Sequence, residues 1–321
     1  MNPTSSPSSA ARTVSVVIPC LNAAATLPGL VHGLLHQELP PGVTLEILIV
    51  DNGSTDASAQ VAAGLPVRLL SEKRPGAAAT RNTGVRASRG DIILFLDADT
   101  RPSDPRLVAE HLANLDSDPA IGISGGAITH DPDQPGWLPF AENATGLFNW
   151  HDRLPGRDLT FQPTGNMAFR RSLYDAIGPL DESLLWLEDF DFNLRVRKAG
   201  YRIRFTPRAG VHIRGRESFR AILRKFYRWG LNIRSVYVPG RREQFWLFPD
   251  HPRLFPLNGP LRAVNETWVT VKRWFPVCPV KILLLVPAIL IFRSAWAWGM
   301  MSGASAPGTG HPSPAERHGA S

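Results

Sequence analysis

From residue 13 onward, short apolar runs alternate with stretches whose apolar positions recur at helical spacing. Residues 14–19 (VSVVIP), 45–50 (LEILIV), 67–71, 92–96 (IILFL) and 121–129 predict strands. Between them, 23–37, 56–63, 77–88 and 105–115 predict helices, the first with Asn22 as its N-cap. The strands are apolar almost without interruption, as expected where both faces of a sheet are covered. This alternation predicts βαβ units and an α/β fold: a Rossmann-like, mostly parallel sheet with helices on both faces. Ligands in such sheets bind beyond the carboxyl ends of the strands, so the polar residues that follow each strand are the candidates for function.

Beyond residue 130 the pattern loosens. Residues 137–151 predict a helix, 153–160 a loop, 167–170 a short strand and 188–199 a helix stopped by Gly200. Two short strands, 202–205 and 210–213, lead into a basic, aromatic helix over 218–238. A tail rich in Trp, Phe and Pro follows, with an apolar run at 282–292. No internal repeat is visible. The expected organisation is a disordered leader over 1–12, an α/β catalytic domain over 13–218, a basic and apolar extension over 219–301 and a disordered tail over 302–321.

Composition narrows the class. With 43% apolar and 20% charged residues among 321, the chain can bury a sizeable core and is not disordered throughout. Two cysteines, Cys20 and Cys278, cannot build a disulfide framework or a four-cysteine zinc site. Residues 1–12 lack the apolar run of a secretory signal. Both observations point to a reducing, cytosol-facing location. The net charge of +7 is local: residues 202–242 hold twelve Lys or Arg against Glu217, a span of +11 that leaves −4 for the rest. That segment is expected to face something anionic.

Five constellations can carry chemistry. Asp97 and Asp99 directly follow the IILFL strand. Carboxylates at i and i+2 there can reach one hard cation, and Mg²⁺ or Mn²⁺ is ordinarily held by one or two carboxylates plus substrate phosphates. The same spacing at Asp116 and Asp131 falls in polar or Pro-containing loops, and a turn with side-chain-to-backbone bonds is the plainer alternative throughout. Asp51, after the second strand, can accept hydrogen bonds from a base or ribose, or simply serve a strand–turn–helix connection. Arg81, on an Ala-rich helix, can reach a phosphate or base, or be a surface residue. Glu188, Asp189 and Asp191 crowd a helix start, where acids favour the dipole. One acid suffices for that purpose, and a carboxylate there could instead take a proton from an acceptor hydroxyl. His212 ends a strand, and its imidazole could complete a metal site with Asp99, although a lone His is more often structural.

In this order, SVVIPCLNAAATL, VDNGSTD, PGAAATRNTG, ILFLDADT, TGNMAFRR and LEDFDFNLRVRKAGYRI resemble the blocks of the inverting glycosyltransferase family 2, with its GT-A-type fold. The resemblance covers residues 14 to 218. It implies a nucleobase and ribose held around Pro19 and Asp51, Arg81 near the nucleotide, and Asp97 and Asp99 serving ribose, diphosphate and metal. It further implies that Gly165 and Asn166 line the donor-sugar or acceptor pocket, with Glu188 beside it. Asp189 would be the general base and His212 a further metal partner. The implied reaction moves a sugar from a nucleotide-sugar to a hydroxyl of a glycan or lipid-linked acceptor, assisted by Mn²⁺ or Mg²⁺. Two residues depart from the pattern: Asn52 stands where a second Asp is frequent, and Leu187 where Gly is frequent.

Six of nine Trp lie at or beyond residue 229. With the Arg-rich helix and the apolar run, they predict contact with an anionic membrane, at its cytoplasmic face. The run of 11 residues at 282–292 is short of the ~18–20 that span a bilayer, which favours an interfacial or re-entrant anchor. A spanning helix and a soluble capping or dimer helix are the alternatives. Other functions fit less well. No G-x-G-x-x-G follows the first strand, against a dinucleotide-dependent oxidoreductase. The basic stretch matches no nucleic-acid reading motif, so no nucleic-acid partner is expected. A nucleotidyltransferase would share fold and metal and differ in product.

Overall fold

The computed structural model of the protein describes residues 11–235 and 255–302, apart from Phe148 and Leu185. The expected leader up to residue 10, the last turn of the basic helix (236–238) and the tail from 303 lie outside the described residues. The chain forms two compact units, Met1–Gly215 and Arg216–Ser321.

The first unit is built on a nine-stranded sheet. Strands β1 (Arg12–Cys20), β2 (Val43–Asp51), β3 (Arg68–Ser71) and β4 (Ile92–Leu96) pair in parallel in the order β3-β2-β1-β4. Helices α1 (Leu27–Leu35), α2 (Ser58–Ala63) and α3 (Ala77–Ala87) connect them. Then come β5 (Thr100–Pro102), α4 (Leu107–Asp116), β6 (Ile121–His130), α5 (Trp137–Gly146), β7 (Arg157–Leu159), β8 (Asn166–Arg170), α6 (Arg171–Ile177), α7 (Glu188–Lys198) and β9 (Arg202–Ile213). β8 enters antiparallel between β4 and β6, β9 lies parallel to β6, and β5 and β7 pair antiparallel with β9. The parallel half is as expected, and beyond β4 the sheet is mixed.

Both faces are covered. Val14, Val16 and Ile18 pack with Leu30 of α1 and Leu112 of α4 on one side. Val17, Phe95 and Phe169 pack with Val85 of α3 and Phe192 of α7 on the other. All five residues of β4 are buried, which is why its sequence is apolar without alternation. The topology has one consequence for function. β1, β2, β4, β6 and β9 run the same way, and β8 starts where they end. Asp51, Asp97, Gly165 and His212 therefore share one edge of the sheet.

Several elements differ from expectation for local reasons. The helix after β1 starts at Leu27 behind Thr26, so Asn22 does not cap it. The segments 202–205 and 210–213 are one strand, interrupted in register between Thr206 and Gly210. Pro207, which cannot donate to the ladder, lies in that interruption. β5 and β7, three residues each, are too short to leave a periodic signal.

The second unit consists of α8 (Phe219–Ser235), α9 (Phe255–Trp274), α10 (Pro279–Leu284) and α11 (Val286–Ser302). Phe226 of α8 stacks on Phe292 of α11, with ring centroids 5.6 Å apart. The backbones of α8 and α11 touch where glycines meet. A Cβ on Gly230 would fall 1.9 Å from the Trp296 carbonyl oxygen, and one on Gly299 would fall 2.0 Å from that of Tyr227. The apolar run at 282–292 is not one helix: it breaks at Leu285, and Pro287 opens the next helix at a position where its missing N–H costs nothing. Ile282, Ile289 and Phe292 are buried within this unit.

Candidate active site

The loops after β1 and β2 are tied to each other. β1 and β2 pair Pro19 with Val50 and Cys20 with Asp51. Asn22 adopts a left-handed conformation (φ 54°), which Asn tolerates, and its Oδ1 accepts the Thr55 N–H at 2.8 Å and the Asp56 N–H at 3.3 Å. The Asp51 carboxylate accepts the N–H groups of Gly53 and Ser54 at 3.2 and 3.3 Å. Half-buried at the strand end, Asp51 thus shapes its own loop, as a turn residue would. Asn52 gives its amide to the next loop: Nδ2 donates to the carbonyls of Glu72 and Arg74 at 2.7 and 2.8 Å, and Oδ1 accepts the Gly76 N–H at 3.2 Å. An ionised Asp could not make the two donations. The departure at Asn52 therefore has a structural role in this chain.

A charged clamp crosses the edge. Arg81, only 4% exposed, donates from Nη2 to Asp97 Oδ1 at 2.6 Å and from Nη1 to Glu188 Oε1 at 3.0 Å. It is not a surface residue: it joins β4 to the start of α7. Gly165 closes on the same carboxylate, since a Cβ there would lie 2.7 Å from Asp97 Oδ2. Asp97 is thereby fixed from two sides.

Asp189 stands beside this clamp, half-buried, with Oδ1 accepting the Phe190 N–H at 2.8 Å. Burial raises its pKa to about 7, the negative charges of Glu188 and Asp97 add to the rise, and Arg81 opposes it. Its carboxyl therefore titrates near neutrality, where a general base works best. The turn that delivers it is strained: Leu187 has φ 65°, a left-handed conformation that costs an L-residue with a Cβ roughly 1–2 kcal/mol. A Gly at this position would carry no such penalty. Leu187→Gly is expected to raise stability by about 0.5–1 kcal/mol after the added freedom of the unfolded chain is subtracted. The midpoint of urea unfolding measures it.

Asp99 and His212 flank one strand pair. Asp99 precedes β5, whose register with β9 sets Arg101 opposite His212, and the Asp99 carbonyl accepts the Arg214 N–H at 3.5 Å. His212 Nδ1 pairs with Thr129 Oγ1 at 3.0 Å. Burial and the Arg101 charge lower its pKa, which favours the neutral imidazole. Among the described residues, no three His, Cys, Asp or Glu side chains are grouped to hold a metal alone. A hard cation bound by Asp99 and His212 would take its remaining ligands from a diphosphate and water.

Asn166 departs from expectation. Its side chain is fully buried, Nδ2 donating to the carbonyls of Ala127 and Ala209 at 2.9 and 2.8 Å and Oδ1 pairing with His111 Nε2 at 2.8 Å. With every polar atom engaged inside the sheet, it ties β8 to β6 and β9 rather than lining a pocket. His111 reaches Ser124 through Nδ1 at 2.9 Å, and burial lowers its pKa to about 4. Neither His111 nor the buried pair Gln162 and Asn193, which exchange hydrogen bonds at 2.9 Å, was identifiable from sequence. Only the fold brings these scattered polar residues together.

One edge of the Rossmann-like sheet thus carries a clamped carboxylate after β4 and a second carboxylate of raised pKa at the start of α7. Residues 15–178 match the model of glycosyl transferase family 2, and the chain belongs to that family. It is a glycosyltransferase. Over 235 residues it is 27% identical to glycosyltransferase AglE of Haloferax volcanii, covering 71% of this chain and 75% of that protein. Over 279 residues it is 26% identical to the succinoglycan biosynthesis protein ExoA of Rhizobium meliloti, covering 83% and 81%. The pre-mycofactocin glycosyltransferase of Mycobacterium tuberculosis is 30% identical over 208 residues, a match that spans 42% of its length. Among solved structures, the fold is similar to that of mannosyltransferase PcManGT from Pyrobaculum calidifontis in complex with GDP-Man and Mn²⁺, with a TM-score of 0.57 at 18% identity over 93% of this chain and 87% of that one. GalNAc-T7 with UDP, GalNAc and Mn²⁺ is similar at a TM-score of 0.52 and 19% identity, over 71% of this chain and 52% of that one. The architecture is thus of the GT-A type.

Proposed function

We propose that the enzyme transfers a sugar from a nucleotide-sugar to a hydroxyl of a glycan or lipid-linked acceptor, with inversion, at the cytoplasmic face of an anionic membrane. The observation that supports this reading is the Arg81 clamp, which ties Asp97, after β4, to Glu188 at the start of α7, beside Asp189. Solved neighbours that hold a nucleotide or nucleotide-sugar with Mn²⁺ support the choice of donor and metal.

The chain's own groups divide the work. Pro19, Asp51 and Asp97 border the end of the sheet where base and ribose would lie. Asp189 accepts the proton of the acceptor hydroxyl as that oxygen bonds to the anomeric carbon. The bond from the anomeric carbon to the diphosphate oxygen breaks, and the nucleoside diphosphate leaves. One displacement from the face opposite the leaving group inverts the centre. Asp99 and His212 would hold Mn²⁺ or Mg²⁺, which when bound supplies positive charge against the leaving diphosphate. Glu188 Oε1 is held by Arg81, which favours Asp189 over it as the base.

Calorimetry tests the reading. Nucleoside diphosphates are expected to bind in the presence of Mn²⁺ and to lose that metal-dependent affinity in Asp99→Ala, by roughly tenfold or more. Unchanged affinity in the variant, or no binding of any nucleoside diphosphate by the parent, would overturn it.

A further inference from the structure

The second unit exposes more apolar surface than a water-facing bundle requires. On α9, Leu257, Leu261, Val264 and Trp268 are exposed, and Phe275 just beyond the helix continues the series. Their spacing of four, three, four and seven residues sets them in one stripe. Ala263, Thr267, Thr270 and Trp274 are buried on another side of the helix. A second exposed series, Val280, Leu283, Leu284, Leu290, Ile291 and Trp298, runs along α10 and α11. Leu284 and Trp298 are 76% and 69% exposed. Surfaces of this kind on soluble monomers mark interaction sites.

Charge selects the occupant. Among residues 216–235 and 255–302 the sequence has eleven Lys or Arg and two acids, Glu217 and Glu266. Glu266 is paired with Arg262. Lys272 and Arg273, between Trp268 and Phe275, and Lys281, between Val280 and Leu283, are exposed and interleave with the two apolar series. A second copy of such a surface would be repelled, whereas anionic headgroups would be attracted. No helix among the described residues is long and apolar enough to cross a membrane. The unit has its own internal supports: the glycine contact between α8 and α11, and Arg293, buried in α11, donating to Thr270 of α9 at 3.2 Å.

We infer that the stripe on α9 and the outer side of α10 and α11 together form an in-plane insertion surface for an anionic bilayer. This rests on the membrane reading above and relocates the contact. The expected anchor at 282–292 places Ile282, Ile289 and Phe292 inside the unit, and α9, which the sequence pattern does not mark, supplies Leu257, Leu261, Val264 and Trp268 to the inserting surface.

The test is cosedimentation of the full chain with vesicles of phosphatidylcholine, with and without phosphatidylglycerol. The parent is expected to bind the anionic vesicles and to retain part of that binding as salt rises. Val264→Glu with Trp268→Glu should weaken vesicle binding by roughly tenfold or more while nucleoside-diphosphate binding and the thermal midpoint persist. Leu35→Glu, on α1 of the other unit, should change nothing. Should the double variant not fold, Leu284→Glu on α10 decides in its place, with the same loss expected. Equal binding by parent and variants would overturn this inference and leave the membrane reading standing. No binding of the parent to anionic vesicles would overturn both. A lipid-free dimer that these substitutions convert to monomer would overturn the inference in favour of a second copy as occupant.

Discussion

Replacing Asp189 by Asn is expected to lower turnover by ~10²–10⁴ while the affinity for nucleoside diphosphate stays close to that of the parent. Asn preserves the shape and can still accept the Phe190 N–H, so the loss reports the proton acceptor alone. The parent's rate should fall as pH drops through about 7, where Asp189 takes up its proton. Stability should respond with the opposite sense. The folded pKa lies above the ordinary carboxylate value near 4, so between about 4 and 7 the folded chain keeps a proton that the unfolded chain releases. Stability therefore declines as pH rises through that window and remains lower above it. Asn cannot ionise, so the variant should melt higher than the parent at pH of about 8, with the gap closing near pH of about 4. A variant that is slower yet more stable at alkaline pH identifies a strained catalytic carboxylate. Near-normal turnover would make Asp189 a helix-start acid and nothing more.

What the sequence made legible is the edge, and what it hid is the wiring. Asp51, Asp97 and His212 each end or directly follow an apolar run, so the rule that ligands sit beyond strand ends groups them from the sequence alone. The acids at 188, 189 and 191 stood out because one would have served the helix start. Arg81 was legible as a cation but not as a clamp, because its partners lie 16 and 107 residues away and only the sheet order brings β4 and α7 to it. The pocket role of Asn166 came from the family resemblance alone, and the inward turn of its side chain is set by the carbonyls of Ala127 and Ala209 on strands distant in sequence. α9 was hidden by its own opening residues. Pro256, Gly259 and Pro260 lower helix propensity over the first turns, and tertiary packing of Ala263, Val271 and Trp274 overrides it.

Substituting Arg81 is expected to destabilise the fold. Removing it leaves Glu188 buried and Asp97, which keeps 37% exposure, without their cation. Loss of one partner from a buried ion pair costs ~3–5 kcal/mol, and the partial exposure of Asp97 argues for the lower end, about 3 kcal/mol for Arg81→Ala. Arg81→Lys should recover little, because a single ammonium cannot reproduce the two separate guanidinium donors that face Asp97 and Glu188. Adding Glu188→Gln to Arg81→Ala should return part of the loss, since the buried charge left behind is then gone, and urea unfolding of the four chains closes the cycle. The same residue should also move the chemistry. Arg81 opposes the rise in the Asp189 pKa, so a folded Arg81→Lys variant with its cation displaced should carry its acid limb of rate to higher pH. A stability loss without that displacement would confine Arg81 to holding β4 and α7 together; both effects in one variant would make it the link between the donor-side carboxylate and the base.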